Sequence, residues 1–211
     1  MILFDRRFRT FFILACLMLI AVSASAQSYF GRERYMGSSI FSMPTGFVRS
    51  SSCYINDSGH SAVLLSQALW NEFVELSMLR HMSGIEKNKN ILNFKVKILE
   101  EDMVVPSLVW GVSDVNKQLG SKISYFAASK SIETFGVTMH AGIYNDSDLD
   151  EKEPFFGFEK MVFPLVTVGA ERVKDINTFG LKLSPYPGLS LEIAQRDGKE
   201  ELYNINYIRY F

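Results

Sequence analysis

The sequence predicts an all-β protein, namely an antiparallel up-and-down transmembrane β-barrel of about twelve strands, with about ten as the alternative count. Three observations support this prediction. Apolar and polar residues alternate along most of the chain after residue 45, as in strands with one apolar face. The first 26 residues resemble a secretory signal peptide. The final strand is rich in aromatic residues and ends at Phe211.

The N-terminal segment has the order of features expected of a secretory signal peptide. Arginines stand at positions 6, 7 and 9, an apolar run covers residues 11–22, and a small-x-small site ends at Ala26. A membrane-spanning helix needs ~20 apolar residues, so the run is too short for that alternative. We therefore expect cleavage after Ala26, and we divide the chain into a signal peptide (1–26), a periplasmic segment (27–44) and a barrel domain (45–211).

The same segment also has features of two other export signals. Arg6 and Arg7 form a twin arginine, but the residues that follow do not extend that export pattern. The four residues ending at Cys16 resemble a lipoprotein cleavage box, which would leave part of the apolar run on the mature protein. We interpret Cys16 as a signal-peptide residue, with lipidation as the alternative. Cys53 is then the one remaining cysteine, so no intramolecular disulfide is expected.

Composition argues against several classes of function. The full chain has a net charge of −1, so it lacks the basic excess that nucleic-acid binding requires. The sequence has no Cys/His cluster with zinc-ligand spacing and no glycine-rich phosphate loop. We therefore predict no catalytic residue, no cofactor site, no metal site and no nucleic-acid partner.

The alternation of apolar and polar residues recurs along the chain, and each segment has one apolar face and one polar face. In residues 92–98, Leu92, Phe94 and Val96 interleave with asparagine and lysines, and the segments 135–143, 178–183 and 189–194 behave in the same way. A soluble β-sandwich produces the same pattern as a membrane barrel, because each has one apolar face per strand. The signal peptide, the terminal Phe and the 13% aromatic content favour the barrel.

Twelve segments qualify as strands, and several have the ~9–11 residues that a tilted spanning strand needs. Their predicted bounds are 46–56, 59–66, 71–80, 90–99, 105–113, 121–130, 133–144, 154–161, 164–172, 176–184, 187–196 and 200–211. Residues 66–80 are also a candidate helix. With Phe211 on the periplasmic side, the long polar connections 81–89, 115–120 and 145–153 all face outward, as bacterial barrels require.

Charged residues on the polar faces are expected to line the barrel lumen. They carry mixed signs, so we predict that they pair across a narrow interior and make the barrel plugged or weakly conducting, because an ion-selective pore needs a ring of one sign. The predicted lumen residues are Glu75, Lys95, Lys97, Glu171, Lys182 and Glu192.

Two groups of residues are candidates for a catalytic or a metal-binding site. His140 lies on a predicted polar face and would be the base of a barrel enzyme, but no serine motif stands near it in the sequence, so a structural role is favoured. An acidic cluster lies between Asp146 and Glu153 and begins like a calcium loop, with Asp at positions 146, 148 and 150. It lacks the Gly at position six and the Glu at position twelve, which favours a solvated outer loop over weak divalent binding.

Residues 37–45 form a short Gly…Pro-Thr motif, and two strand-like segments follow at 93–101 and 105–114. These segments resemble the entry motif and the paired strands of the YjbH-like family of outer-membrane barrels involved in exopolysaccharide biogenesis. Residues 155–159, 168–171 and 186–191 are similar to its later repeat. The resemblance covers roughly residues 37–211 and implies an outer-membrane location and an association with surface polysaccharide, without catalytic residues.

The sequence therefore predicts a non-enzymatic protein of the cell outer membrane. Its expected partners are outer-membrane lipids, the barrel-assembly machinery that recognises an aromatic terminal strand and, through the resemblance, a polysaccharide. The alternatives are an enzyme that modifies envelope lipids through His140, a small porin-like channel, and a soluble periplasmic β protein.

Overall fold

The computed structural model describes residues 50–56, 59–84, 86–147 and 151–208, which form twelve β-strands and one 3-10 turn at residues 133–135. The predicted signal peptide, the segment 27–44 and the terminal Phe211 lie outside the described residues. The strands are β1 (Ser50–Asn56), β2 (Ser61–Leu69), β3 (Val74–His81), β4 (Asn90–Leu99), β5 (Ser107–Ser113), β6 (Ile123–Ile132), β7 (Val137–Asp146), β8 (Glu151–Phe163), β9 (Val166–Val173), β10 (Ile176–Tyr186), β11 (Leu189–Arg196) and β12 (Glu200–Ile208).

These strands close into an antiparallel barrel. Each strand pairs with the strands that precede and follow it, and β1 closes the ring by pairing with β12, where Cys53 lies opposite Ile205. The predicted fold class, an up-and-down antiparallel barrel of twelve strands, is confirmed. Each of the twelve strands has two partners, so the closed sheet offers no unpaired edge for pairing with another chain.

Side chains alternate between an apolar outer surface and the barrel interior. On β10, Phe179 and Leu181 are 63% and 43% exposed, whereas Thr178 and Lys182, which precede and follow them, are 1% and 6% exposed. The apolar faces therefore point outward and do not pack against each other as they would in a soluble sandwich. Water-soluble monomers rarely expose a continuous apolar surface of this kind, whereas lipid-facing barrels require one.

The two ends of the barrel differ in their connections. We call the end that holds the start of β1 and the end of β12 the terminal end, and the opposite one the loop end. The two longest connections, 82–89 and 114–122, lie at the loop end, as predicted. The third is shorter than predicted, because β7 and β8 continue to Asp146 and Glu151 and leave only residues 147–150 between them.

The helix proposed for residues 66–80 was wrong. These residues form the end of β2, a turn and most of β3. Trp70, Asn71 and Glu72 have positive φ angles of 50°, 53° and 64°, which a right-handed helix does not accept. Among the described residues, no helix has the length and apolar character needed to cross a membrane.

Candidate functional site

The barrel interior is the candidate functional site, because it collects the charged side chains of the strands. The six charged residues predicted to line the lumen all lie on inward faces. Among them, Glu75 and Lys95 are 1% exposed, and Lys182 and Glu192 are 6% and 7% exposed. The inward placement was predictable because strand side chains alternate strictly between the two faces of a sheet.

One ion pair is enclosed in the interior between β3 and β4. Glu75 lies directly opposite Lys95, and its Oε2 is 3.4 Å from the lysine Nζ. Nearer the loop end, Leu79 and Ile91 lie opposite each other on the same two strands and are each 1% exposed. The pair is therefore removed from water on its loop-end side by aliphatic packing.

A second group of polar contacts lies on β7 to β12. Lys182 Nζ is 3.5 Å from Glu159 Oε2, and Asn204 Nδ2 donates a hydrogen bond of 2.6 Å to Glu192. Of the six charges that were predicted to pair, Glu75 forms an ion pair with Lys95, and Lys182 lies directly opposite Glu192 in the strand register. The observed contacts join adjacent or next-but-one strands, because neighbouring strands are only ~5 Å apart whereas the opposite wall is farther away.

His140 belongs to this second group. Its Nε2 is 3.5 Å from Glu171 Oε2, and the two residues flank Gly157, which is the cross-strand partner of both. A Cβ at position 157 would lie 2.4 Å from His140 Nε2. Glycine at this position is therefore what allows the imidazole to lie over β8 and approach Glu171 on β9.

The structure brings together the residue types of a hydrolytic triad without the hydrogen bonds of one. Ser129 is the cross-strand partner of His140 on the side away from Glu171. Among the described residues, neither the Ser129 hydroxyl nor either ring nitrogen of His140 has a hydrogen-bond partner. A serine nucleophile requires its base within hydrogen-bond reach, so the geometry supports a structural role for His140.

Two apolar clusters also occupy the interior, and sequence reasoning did not identify them. They arise because several strands, such as β2 and β5, carry apolar residues on both faces, and that double-sided pattern is the signal that could have revealed them. One cluster comprises Tyr54, Ala62, Leu64, Leu79 and Ile91 with Leu119 packed against it. The other comprises Ala68, Val109, Ile123, Tyr125, Ala127, Phe155 and Val173 with Tyr144 packed against it.

Two aromatic rings of the second cluster lie over interior glycines. A Cβ at Gly111 would be 2.3 Å from the Tyr125 ring. A Cβ at Gly142 would be 2.3 Å from both the Phe155 ring and the backbone oxygen of Phe126. Each ring therefore occupies space that the side chain of a larger residue would need.

The acidic segment does not form a recognisable metal site in the described part of the chain. Asp146 is buried at the end of β7, and Glu153 pairs with Lys174 at 3.1 Å, while Asp148 and Asp150 lie outside the described residues. No group of three or more potential metal ligands occurs among the residues that the structure describes. Part of the predicted outer loop is instead strand.

Comparison with solved structures shows the same fold in known porins. The KdgM porin superposes with a TM-score of 0.54 at 11% sequence identity, covering 77% of this chain and 98% of its own. The NanC porin superposes with a TM-score of 0.52 at 11% identity, covering 76% of this chain and 99% of its own. No protein-family model matches the sequence, and no curated protein matches it. At this identity the likeness establishes the barrel fold.

Proposed function

We propose that this chain is a non-enzymatic β-barrel of the cell outer membrane whose lumen is closed by its own side chains, and that it serves in exopolysaccharide biogenesis or export. The observation that carries the closed lumen is the near-complete burial of inward side chains around the ring. Leu64 and Val109 are 0% exposed, Glu75 is 1%, and Thr178 on β10 is 1%. A wide water-filled channel would expose such residues.

The outer surface supports the membrane location. Outward side chains of the strands are apolar through the middle of the barrel and polar near its loop end. On β9, for example, Val168 and Ala170 are followed by Arg172. Bacterial outer-membrane barrels have such an apolar band and carry their longer loops on the cell exterior. The start of β1 and the end of β12 would then face the periplasm.

The link to polysaccharide rests on the resemblance to the YjbH-like family. Two of its segments, 93–101 and 105–114, fall largely on β4 and β5, which pair with each other from Phe94 opposite Val112 to Leu99 opposite Leu108. Deleting the gene should change the amount or length of surface polysaccharide, and an unchanged polysaccharide would contradict this part of the proposal.

The closed lumen is tested by single-channel recording in planar bilayers. The folded protein, identified by a boiling-dependent shift in gel mobility, should give no large and stable conductance steps. Such steps would contradict the closed lumen. Recovery in the soluble periplasm without a mobility shift would instead contradict the membrane barrel itself.

A narrow porin-like channel is the second candidate, and the fold shared with the KdgM and NanC porins favours it. One neighbour is the KdgM porin in complex with disordered oligogalacturonate, a carboxylate-bearing oligosaccharide. Here the interior face of β8 to β11 carries Glu159, Glu171 and Glu192 beside Lys182. A channel lined in this way would favour cations over acidic sugars. Under a salt gradient, the sign of the reversal potential would show that preference.

A further inference from the structure

A groove on the outer surface lies where the apolar band meets the polar loop end. Its volume is about 440 Å³, and its lining runs from β4 to the end of β7. Ser124 of β6 lies between Val112 of β5 and Asn145 of β7 in the strand register, so a small residue forms the floor of the depression. The groove faces outward and is separate from the barrel interior.

The part of the groove nearer the middle of the barrel is apolar. Phe94 and Trp110 lie on neighbouring strands, with ring centroids 6.3 Å apart and an angle of 77° between the ring planes. Val112 and Val115 continue this surface towards the loop end. Tryptophan is enriched at the boundary between membrane and water, where its ring contacts acyl chains and its N–H stays near polar groups.

The other part of the groove is polar and cationic. Lys122 lines it, and the lysine backbone is held in place by two hydrogen bonds with Ser147, of 3.0 Å to the serine Oγ and 2.9 Å from the serine N–H. No carboxylate among the described residues pairs with the Lys122 ammonium. Asn145 Oδ1 is buried and lacks a hydrogen-bond partner within the same part of the chain.

We propose that this groove binds one phosphate-bearing anionic lipid of the membrane leaflet at the loop end. An acyl chain lies along Phe94, Trp110 and Val112, the phosphate lies at Lys122, and Asn145 accepts a hydrogen bond from a head-group hydroxyl or amine. The apolar and polar parts follow each other along the barrel from its middle to its loop end, which is the order of chain and head group in a leaflet. Lysine binds phosphate as a point charge. This inference rests on the proposed membrane location.

The test uses Trp110 as a reporter inside the groove. The chain contains two tryptophans, and Trp70 lies in the exposed turn before β3, so Trp70→Phe leaves Trp110 alone. This variant is folded into phosphatidylcholine vesicles that contain either phosphatidylglycerol or phosphatidylcholine with brominated acyl chains. Brominated phosphatidylglycerol should bind in the groove about fivefold more tightly than brominated phosphatidylcholine and should therefore quench Trp110 more strongly. This is the preference expected for one lysine near an anionic head group.

Two charge variants separate the groove from general surface electrostatics. Lys122→Gln should make the two brominated lipids quench Trp110 almost equally. Arg172→Gln, which removes an outward cation at the same end of β9, should keep the preference. Equal quenching in the parent, no effect of Lys122→Gln, or an equal loss in both variants would overturn the lipid site. Absence of quenching by either lipid would overturn the membrane barrel as well.

Discussion

The two walls of the barrel interior are built differently. The wall formed by β1 to β6 carries most of the buried aliphatic residues, together with several serines and His81, and encloses the ion pair of Glu75 with Lys95 at 1% exposure each. The wall formed by β7 to β12 carries several carboxylates and the imidazole of His140. It also has four of the inward glycines, at positions 142, 157, 169 and 180.

The two walls accommodate buried charge in different ways. On the aliphatic wall, the charges of Glu75 and Lys95 are compensated mainly by each other, since both are removed from water. On the second wall, glycines leave room for long polar side chains to reach past one strand, as His140 does over Gly157. We therefore expect the first wall to depend on its ion pair and the second to depend on its glycines.

The largest effect is expected from breaking the enclosed pair. Glu75→Ala leaves the Lys95 ammonium buried without that carboxylate, which should lower the free energy of unfolding by about 3–5 kcal/mol. Urea unfolding in vesicles, followed by tryptophan fluorescence, measures the change. The double variant Glu75→Leu with Lys95→Met removes both charges and should recover most of the loss. If the double variant is as unstable as the single one, the pair is not the cause.

A somewhat smaller effect is expected from filling the space over a glycine of the second wall. Gly142→Val places new atoms against the Phe155 ring and the backbone oxygen of Phe126, and overpacking of this kind costs about 1–3 kcal/mol. The same unfolding assay measures it. Ala141→Val adds two methyl groups on the neighbouring outward face and is the matched control. Equal effects of the two variants would show that the inner wall is not tightly packed there.

The free energy of unfolding should fall by about 1 kcal/mol when the second wall loses one carboxylate. In Glu171→Gln the amide keeps the size of the side chain and can still hydrogen-bond to its surroundings. Its cost should therefore be clearly below that of Glu75→Gln, measured in parallel. Equal costs for the two glutamine variants would remove the distinction between the walls.

The smallest effect is expected when His140 of the second wall is replaced and the envelope lipids are compared. Because Ser129 and His140 are not hydrogen-bonded to each other, cells that carry His140→Ala should have the same envelope lipids as the parent strain. Mass spectrometry of extracted lipids from cells carrying parent or variant makes the comparison. A lipid species that disappears with the variant, while barrel levels stay constant, would restore the enzymatic alternative.

The alternation in the sequence was sufficient to predict twelve strands and the inward direction of all six named charges. The predicted strand bounds differ from the observed ones by up to four residues, as for β7, which begins at Val137 and not at residue 133. Residues 133–135 form a 3-10 turn ended by Gly136 in a left-handed conformation, and alternation alone cannot distinguish such a turn from the start of a strand.

The alternation of residues along the chain is enough to predict the fold class and the face on which each strand residue lies, because a strand's side chains alternate with a period of two. The three-dimensional structure was needed to show which charged side chains are in contact, that Ser129 and Glu171 flank His140, and that Leu64, Val109 and Phe155 fill the lumen. Strand register and barrel closure set those contacts between residues far apart in the chain, and a local pattern carries no information about register.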